Sequence, residues 1–326
     1  MKVLVTGATG FVGSHVAERL ALGGHELRLL LRSTSSLGYL EGLEFERVEG
    51  ELRDVDSLRR AVQGVDAVMH LAGTTSTSTT AEYEAINARG TADLVQIARE
   101  TGIERFVYAS SLSAQGPSPD GHVQPSEPAF PDGPYGKTKL TGEFAVRAER
   151  QRMNVSVLRL PVIYGPRDRG LLPFFVMAKY GVVPLYGRGD NQISWIHVYD
   201  AADAMVTALE KSEKSGAIFT PCDGPPHSWR DLATAVGDAY GKNLWLPEVP
   251  PSLFKLGGAA ADAIAGIVGQ QLPLTSEKAA RMGKRYWICD NSAIEEQLGW
   301  QPQVEYREGV RHTLDWYREN RWLKLF

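Results

Sequence analysis

The stretch KVLVTGATGFVG, residues 2–13, decides how the rest of the chain is interpreted. An apolar run is followed by three glycines at regular spacing, Gly7, Gly10 and Gly13. Val12, Val16 and Leu20 then recur four residues apart, which predicts an amphipathic helix that ends at Gly23 and Gly24. The stretch is therefore typical of a strand, a glycine turn and a helix in direct succession.

Similar apolar runs extend this pattern through the first half of the chain. ELRLLL, DAVMHLAG, RFVYASS and VSVLRL alternate with segments of helical periodicity, one of them a long helix predicted over about residues 82–101. This alternation predicts an α/β fold with a doubly wound parallel Rossmann sheet. Prolines and glycines become frequent after Leu160, and a helix near 200–213 indicates a return to the sheet.

Composition narrows the possible functions. The 326 residues are 43% hydrophobic, enough for one large α/β domain with a smaller lobe. A net charge of −4 provides no basic field for nucleic acid, so the expected partner is a small molecule. Cys222 and Cys289 allow at most one disulfide and lack the spacing of a zinc site, so a reducing compartment and no bound metal are expected.

The N-terminus and the most apolar segment bear on location. The chain begins in a predicted strand without a secretory leader, so a cytoplasmic location is expected. LFKLGGAAADAIAGIVG, residues 253–269, contains Lys255 and Asp262 and is too short to cross a bilayer. It predicts an amphipathic helix at the rim of a pocket, without stable membrane insertion.

The glycine turn indicates a ligand. Glycines between a strand and a helix let the backbone approach a pyrophosphate that faces the helix N-terminus, although a plain tight turn is the alternative explanation. NAD sites of this kind usually have an acid at the end of the second strand, where this chain has Arg32 and Ser33 after Leu31. A guanidinium and a hydroxyl favour a 2′-phosphate, so NADP(H) is preferred over NAD(H), unless Arg32 is only a solvated surface residue.

Tyr135 and Lys139 are the candidate acid/base pair. Their spacing in YGKTK places them on one face of a helix that starts near Pro134. The lysine can lower the pKa of the phenol, which then exchanges a proton with a carbinol oxygen. Two surface residues would explain the spacing alone, but the order of glycine turn, VYASSLSAQG and YGKTK favours catalysis.

These segments together resemble the extended short-chain dehydrogenases/reductases, a family that includes nucleotide-sugar epimerases and dehydratases, dihydroflavonol reductases and 3β-hydroxysteroid dehydrogenases. The similarity covers nearly the whole chain and includes HLAG, NARGTADLV, RLPVIYGP and WIHVYDAADA. It implies catalytic roles for Ser111, Tyr135 and Lys139, with Ser110 and then Ser113 as alternatives to Ser111. It also implies a possible homodimer built from two helices of each subunit.

The resemblance further implies which residues lie along the cofactor. They are Gly7, Thr9, Gly10, Phe11, Val12, Gly13, Arg32, Ser33, Glu51, Leu52, Leu71, Ala72, Gly73, Asn87, Ala109, Ser110, Tyr135, Lys139, Pro161, Val162 and Ile163. Glu51 stands where relatives have an aspartate against the adenine. The NADP-binding Rossmann domain is assigned to residues 1–163 plus about 194–215, and the smaller mixed α/β substrate lobe to about 164–193 and 216–326.

Ile193 and Ser194 distinguish the branches of this family. Sugar-nucleotide relatives often carry QxRDF before the segment that matches WIHVYD, and Ile193 stands at the arginine position. Dehydratases also need an acid at the strand end, where SSLS offers none. We therefore expect an oxidoreductase that interconverts a ketone and a secondary alcohol on a largely apolar molecule. The alternatives are a nucleotide-sugar epimerase with tightly bound NAD and a non-catalytic dinucleotide-binding sensor.

Two further sets of residues have open interpretations. An apolar group either walls the substrate pocket or forms core, and it comprises Leu171, Leu172, Phe174, Phe175, Val182, Val183, Leu185 and Tyr186. His70 and His197 each stand alone among apolar residues, so we expect structural histidines and not metal ligands.

Overall fold

The protein is described here from a computed structural model that covers residues 1–75, 79–123, 126–213, 215–253, 256 and 285–324. The strands of its main sheet are β1 (Lys2–Thr6), β2 (Glu26–Leu31), β3 (Glu46–Glu49), β4 (Ala67–His70), β5 (Arg105–Ser111), β6 (Asn154–Leu160) and β11 (Ala217–Phe219). The short strands are β7 (Val162–Tyr164), β8 (Leu185–Tyr186), β9 (Gln192–Ile193), β10 (Trp195–His197), β12 (Glu248–Val249) and β13 (Tyr286–Trp287).

The helices begin with the predicted segment after the glycine turn. They are α1 (Phe11–Leu22), α2 (Val55–Val62), α3 (Thr80–Tyr83), α4 (Thr91–Glu100), α5 (Leu112–Gln115), α6 (Gly133–Ala148), α7 (Leu172–Lys179), α8 (Val198–Lys211), α9 (Trp229–Tyr240), α10 (Ser292–Leu298) and α11 (Tyr306–Glu319). A wider helical segment, Glu84–Gly90, joins α3 to α4, so the long helix predicted near residues 82–101 is confirmed.

The main sheet has seven parallel strands in the order β3-β2-β1-β4-β5-β6-β11. The chain builds outward from β1 in one direction and then from β4 in the other, so the order reverses between β1 and β4. Ligands of open α/β sheets bind outside the carboxyl ends of the strands at such a point. The predicted doubly wound Rossmann fold is confirmed.

Helices cover both faces of this sheet. Buried side chains of α1 and α8 share one core cluster with β1 and β2, and those of α2, α4 and α6 share a second cluster with the opposite strand faces. Both faces of the sheet therefore carry apolar side chains. For this reason the sequences of the central strands are continuous apolar runs.

A smaller body is formed by α7, α9, α11 and the short strand pairs. Its core contains Tyr164, Phe175, Trp195 and Tyr317. The residues proposed as either pocket wall or core, Leu171 to Tyr186, do not line the main cavity described below, and five of them are buried members of this core. For these side chains the core interpretation is the right one.

Two strands of the sheet were missing from the sequence prediction. β3 forms one edge of the sheet and its side chains are mostly exposed, so it lacks an apolar pattern. β11 forms the other edge, although the sequence assigned residues from 216 onward to the substrate lobe. The remainder of the domain division stays a prediction.

Within the part of the chain that the structure describes, no helix is both long and apolar enough to cross a membrane. The helix predicted over residues 253–269 lies, except for Leu253 and Leu256, outside the described residues.

Candidate active site

A cavity of about 760 Å³ opens at the carboxyl ends of β1, β4, β5 and β6. It brings together most of the residues expected to contact cofactor or substrate: Gly7, Gly10, Phe11, Val12, Gly13, Leu71, Gly73, Asn87, Ala109, Ser110, Ser111, Tyr135, Lys139, Pro161, Val162 and Ile163. The other expected residues do not line it. Arg32, Ser33 and Glu51 are exposed after the ends of β2 and β3, and Thr9 lines a neighbouring cavity. Leu52 and Ala72 pack in the core cluster on one face of the sheet.

The glycine turn fits the phosphates of a dinucleotide. Gly7 has a φ of +79°, and a Cβ built on Gly13 would lie 2.1 Å from the carbonyl oxygen of Gly7, so α1 packs directly on the turn. Gly10 occupies the N-cap position of α1, and no side chain accepts a hydrogen bond from the first N–H groups of the helix. Those donors therefore remain available to an anion at the helix N-terminus.

Ser111 ends β5 and faces the cavity. Its Oγ caps α5 by accepting a hydrogen bond from the backbone N–H of Ser113 at 3.1 Å, which leaves its own O–H to donate. Ser110 also lines the cavity, but its hydroxyl donates to the carboxylate of Glu143. Among the candidate serines, Ser111 is thus better placed than Ser110 to donate to a substrate oxygen.

Tyr135 and Lys139 lie one turn apart on α6, as their spacing predicts, and both line the cavity. A Cβ built on Gly136 would lie 2.2 Å from the carbonyl oxygen of Ser113. Because only a glycine allows this approach, α6 packs tightly on α5, and Tyr135 shares the cavity with Ser111.

Lys139 is almost completely buried. Its Nζ donates to the carbonyl oxygen of Ala109 at 2.6 Å and lies 4.3 Å from the ring centroid of Tyr108. Burial lowers the pKa of Lys139 to about 7, and the negative charge of Glu143 opposes that fall. Burial therefore favours the neutral form of Lys139, and Glu143 favours the charged form.

Glu143 and Arg159 form a buried charged pair beside the site that the sequence analysis missed. Their side chains, 1% and 0% exposed, form an ion pair at 2.7 Å. Arg159 also donates to the side chain of Gln115 and the carbonyl oxygen of Ser126, each at 2.6 Å. Two features of the sequence could have indicated this pair. Arg159 is a charged residue within an apolar strand, and Glu143 follows Lys139 by one helical turn.

Asn87 is held by the wide helical segment between α3 and α4. Its side-chain amide donates to the carbonyl oxygen of Thr74 at 2.9 Å and its oxygen accepts from the N–H of Thr74 at 2.8 Å. Wide helical turns are frequent at functional sites, and this one places a buried amide at the cavity wall.

The two single histidines have structural contacts. His70 lies between the hydroxyls of Thr6 at 2.7 Å and Thr91 at 2.9 Å. Burial lowers the pKa of His70 and that of His197 to about 3, so both rings are neutral near pH 7. His197 accepts a hydrogen bond at the start of α8. Across the described ranges, no group of three or more His, Cys, Asp or Glu could hold a metal ion.

The far side of the cavity is largely uncharged. It is lined by Asn191, Ile193, Ser194, Trp229 and Trp287. Ile193 is 4% exposed, and Ser194 exchanges hydrogen bonds with the backbone of Cys289. Among all the described lining residues, Lys139 and Asp168 are the only charged ones, and Asp168 accepts the N–H groups of Gly170 at 2.6 Å and Leu171 at 3.1 Å.

Comparison with known proteins identifies similar chains over the full length. Residues 3–220 match the model of the NAD dependent epimerase/dehydratase family. A ceramide reductase of Caulobacter vibrioides is 28% identical, with 98% of this chain and 96% of the relative covered. A dTDP-glucose 4,6-dehydratase of Streptomyces niveus is 27% identical, with coverages of 98% and 94%.

A solved structure agrees with the fold. The dTDP-glucose 4,6-dehydratase DesIV of Streptomyces venezuelae, a double mutant with NAD bound, superposes with a TM-score of 0.79 at 26% identity, and 98% of each chain is covered. The agreement extends across the Rossmann sheet and the smaller body.

The ion pair of Glu143 generates a stability prediction. Glu143→Gln removes the partner of a fully buried guanidinium and should lower the free energy of unfolding by about 3–5 kcal/mol. Asp238→Asn is the matched control, because it breaks the exposed ion pair with Arg307 and should change stability by less than about 0.5 kcal/mol. Urea denaturation of both variants measures the difference, and equal small losses would show that Arg159 does not depend on Glu143.

Proposed function

Because the chain belongs to the NAD dependent epimerase/dehydratase family of the extended short-chain dehydrogenases/reductases, we propose that it is a nicotinamide-dependent oxidoreductase that interconverts a secondary alcohol and a ketone. The observation that carries the proposal is the cavity at the reversal of strand order. It joins an uncapped helix N-terminus for phosphates to a serine, a tyrosine and a lysine with the required chemistry.

The three side chains divide the work at the reacting oxygen. Ser111 donates a hydrogen bond to that oxygen, and Tyr135 exchanges a proton with it. Lys139 contributes positive charge that stabilises the phenolate form of Tyr135. The bound nicotinamide supplies or accepts the hydride. A pure dinucleotide sensor has no need of this set, so the sensor hypothesis has the least support.

We propose NADP(H) as the preferred cofactor. The side chain of Arg32 is exposed after β2. Its backbone N–H donates to Ser35 Oγ at 3.0 Å, whereas its guanidinium makes no hydrogen bond or ion pair with the described residues. Such a guanidinium suits a 2′-phosphate. The related structure contains NAD, so the preference for NADP rests on Arg32 and Ser33 alone.

The substrate half of the cavity favours a largely apolar molecule. A nucleotide diphosphate requires cations, and Ile193 occupies the position where sugar-nucleotide relatives often have arginine. Trp229 and Trp287 instead offer aromatic surface. Dehydration is disfavoured because Leu112 and Ser113 follow Ser111, so the end of β5 presents no acid. The name of one relative, ceramide reductase, supports a reductase.

Epimerisation of a nucleotide sugar is the second candidate, and the comparisons favour it over ketone reduction. Most of the named relatives are dTDP- or UDP-glucose dehydratases, and one similar structure, at 26% identity, is a UDP-glucose 4-epimerase. Both candidates use the same tyrosine, lysine and serine. They differ in the substrate that the cavity wall around Ile193 has to bind, a nucleotide diphosphate for the epimerase and an apolar molecule for the reductase.

Removal of the phenol hydroxyl tests the acid/base assignment. Tyr135→Phe should lower turnover by roughly 10²–10⁴-fold, because it deletes the proton-transferring group and keeps the ring. Binding of the dinucleotide, followed by fluorescence titration, should survive. Tyr180→Phe, on an exposed tyrosine of the smaller body, serves as control and should keep full turnover. Near-normal turnover of Tyr135→Phe would show that another group transfers the proton.

Titration of both cofactors tests the NADP assignment. The unmodified protein should bind NADPH more tightly than NADH, and Arg32→Ala should weaken NADP binding by about 1.5–3 kcal/mol while sparing NAD. Arg60→Ala, on the exposed face of α2, is the control and should change neither affinity. A preference for NADH in the unmodified protein contradicts the assignment.

A substrate panel separates reductase from epimerase. Hydrophobic cyclic or aryl ketones should consume NADPH, and the matching alcohols should reduce NADP, with Tyr135→Phe as the inactive control. UDP-glucose supplied with NAD should yield no C4 epimer by chromatography. Formation of the epimer at an enzyme-like rate, with every apolar substrate inert, would establish the epimerase instead.

A further inference from the structure

A second cavity, about 500 Å³, meets the first at the start of α1. It is lined by Thr9, Gly10, Phe11, Ser36, Gly38, Tyr39, Arg167 and Arg169, and it shares Gly10 and Phe11 with the main cavity. A ligand that lies on the glycine turn therefore reaches both cavities. The second one contains two guanidinium groups and, among its described lining residues, no carboxylate.

The two arginines differ in what offsets their charge. Arg167 pairs with Glu18, donates to Ser14 Oγ at 3.0 Å and lies 5.1 Å from the ring centroid of Tyr39. Arg169 is exposed and lies 5.0 Å from the ring centroid of Trp322. It has no ion pair with a carboxylate in the described ranges. The indole orients this guanidinium, and the positive charge is available to a ligand.

The loop that carries these arginines is fixed from both sides. His15 Nε2 contacts the carbonyl oxygen of Pro166 at 3.0 Å, and the Tyr317 hydroxyl donates to the carbonyl oxygen of Asp168 at 2.5 Å. Arg167 has a φ of +72°, an unfavourable conformation for a residue with a Cβ that persists only where the surroundings impose it. The guanidinium groups are thus presented to the cavity by a preorganised loop.

We infer that Arg169, supported by Arg167, binds the pyrophosphate of the dinucleotide from the side opposite to the main cavity. The inference rests on the proposed function, because it takes the dinucleotide as the ligand. The cavity adjoins the uncapped N-terminus of α1, which attracts phosphate oxygens, and guanidinium groups pair with phosphates in bidentate fashion. Thr9 and Ser36 add hydroxyl donors.

The pyrophosphate, and not a 2′-phosphate, is the group assigned to this cavity. Arg32 and Ser33, the residues expected near the 2′ position, are absent from its lining. The loop also borders both cavities, since Arg167 and Arg169 line the second one whereas Asp168 and Gly170 line the main one. The smaller body therefore contributes charge to cofactor binding through a loop that also borders the substrate.

Equilibrium titration of Arg169→Ala tests this inference without an activity assay. The variant should bind NAD and NADP each about 10-fold or more weakly, the loss expected for one charge-assisted contact. ADP-ribose, which retains the pyrophosphate, should lose affinity to the same extent, whereas adenosine should not. Arg169→Lys should recover part of the loss because it keeps the charge. Arg188→Ala, on another exposed arginine of the smaller body, is the control.

The outcomes separate this inference from the proposed function. Unchanged affinity of Arg169→Ala for NAD and NADP, in a protein that binds both before substitution, overturns the inference and leaves the oxidoreductase proposal intact. Loss of NADP affinity alone also overturns it, because the contact would then be to the 2′-phosphate. If the unmodified protein binds no dinucleotide at all, the proposed function fails together with the inference.

Discussion

The buried ion pair between Glu143 and Arg159 is the interaction on which the site depends. It ties α6 to β6, and the hydrogen bond from Ser110 to Glu143 ties the same helix to β5. Two buried charges are costly to desolvate, and here a bidentate contact and further hydrogen bonds from Arg159 compensate them. Since α6 carries Tyr135 and Lys139, this pair sets their depth in the cavity.

Charge is distributed unevenly along the cavity, and this distribution determines what each end can bind. The end at α1 offers open N–H groups, with arginines on the adjoining loop, and suits phosphates. The centre holds Lys139, whose burial makes its charge sensitive to Glu143. The end at Ile193 and the two tryptophans is largely uncharged. An anionic cofactor and an apolar substrate can therefore meet at Tyr135.

The features that could be predicted are those that depend on residues close together in the sequence. The glycine turn, the central strands and the one-turn spacing of Tyr135 and Lys139 are local patterns, and the structure contains each of them. The edge strand β3 was not predicted because most of its side chains are exposed and charged. Periodicity could not separate core from pocket wall between Leu171 and Tyr186, because both environments select apolar residues.

Features formed by distant segments could not be predicted. The partner of Glu143 lies on β6, and the second cavity combines the glycine turn, the loop after β2 and the loop after β7. No local sequence pattern predicts that Arg167 and Arg169, in the loop after β7, lie in one cavity with the start of α1. Only the folded chain brings these segments together.

Transfer of an isotope label tests the central claim most directly. The protein is incubated with an apolar ketone and reduced cofactor that carries deuterium at both C4 positions of the nicotinamide, and the alcohol product is examined by mass spectrometry. If the cavity is a hydride-transfer site for such substrates, the product carries one deuterium on its carbinol carbon, and Tyr135→Phe forms little of it. An unlabelled alcohol, or no alcohol from any apolar ketone alongside turnover of a nucleotide sugar, contradicts the account.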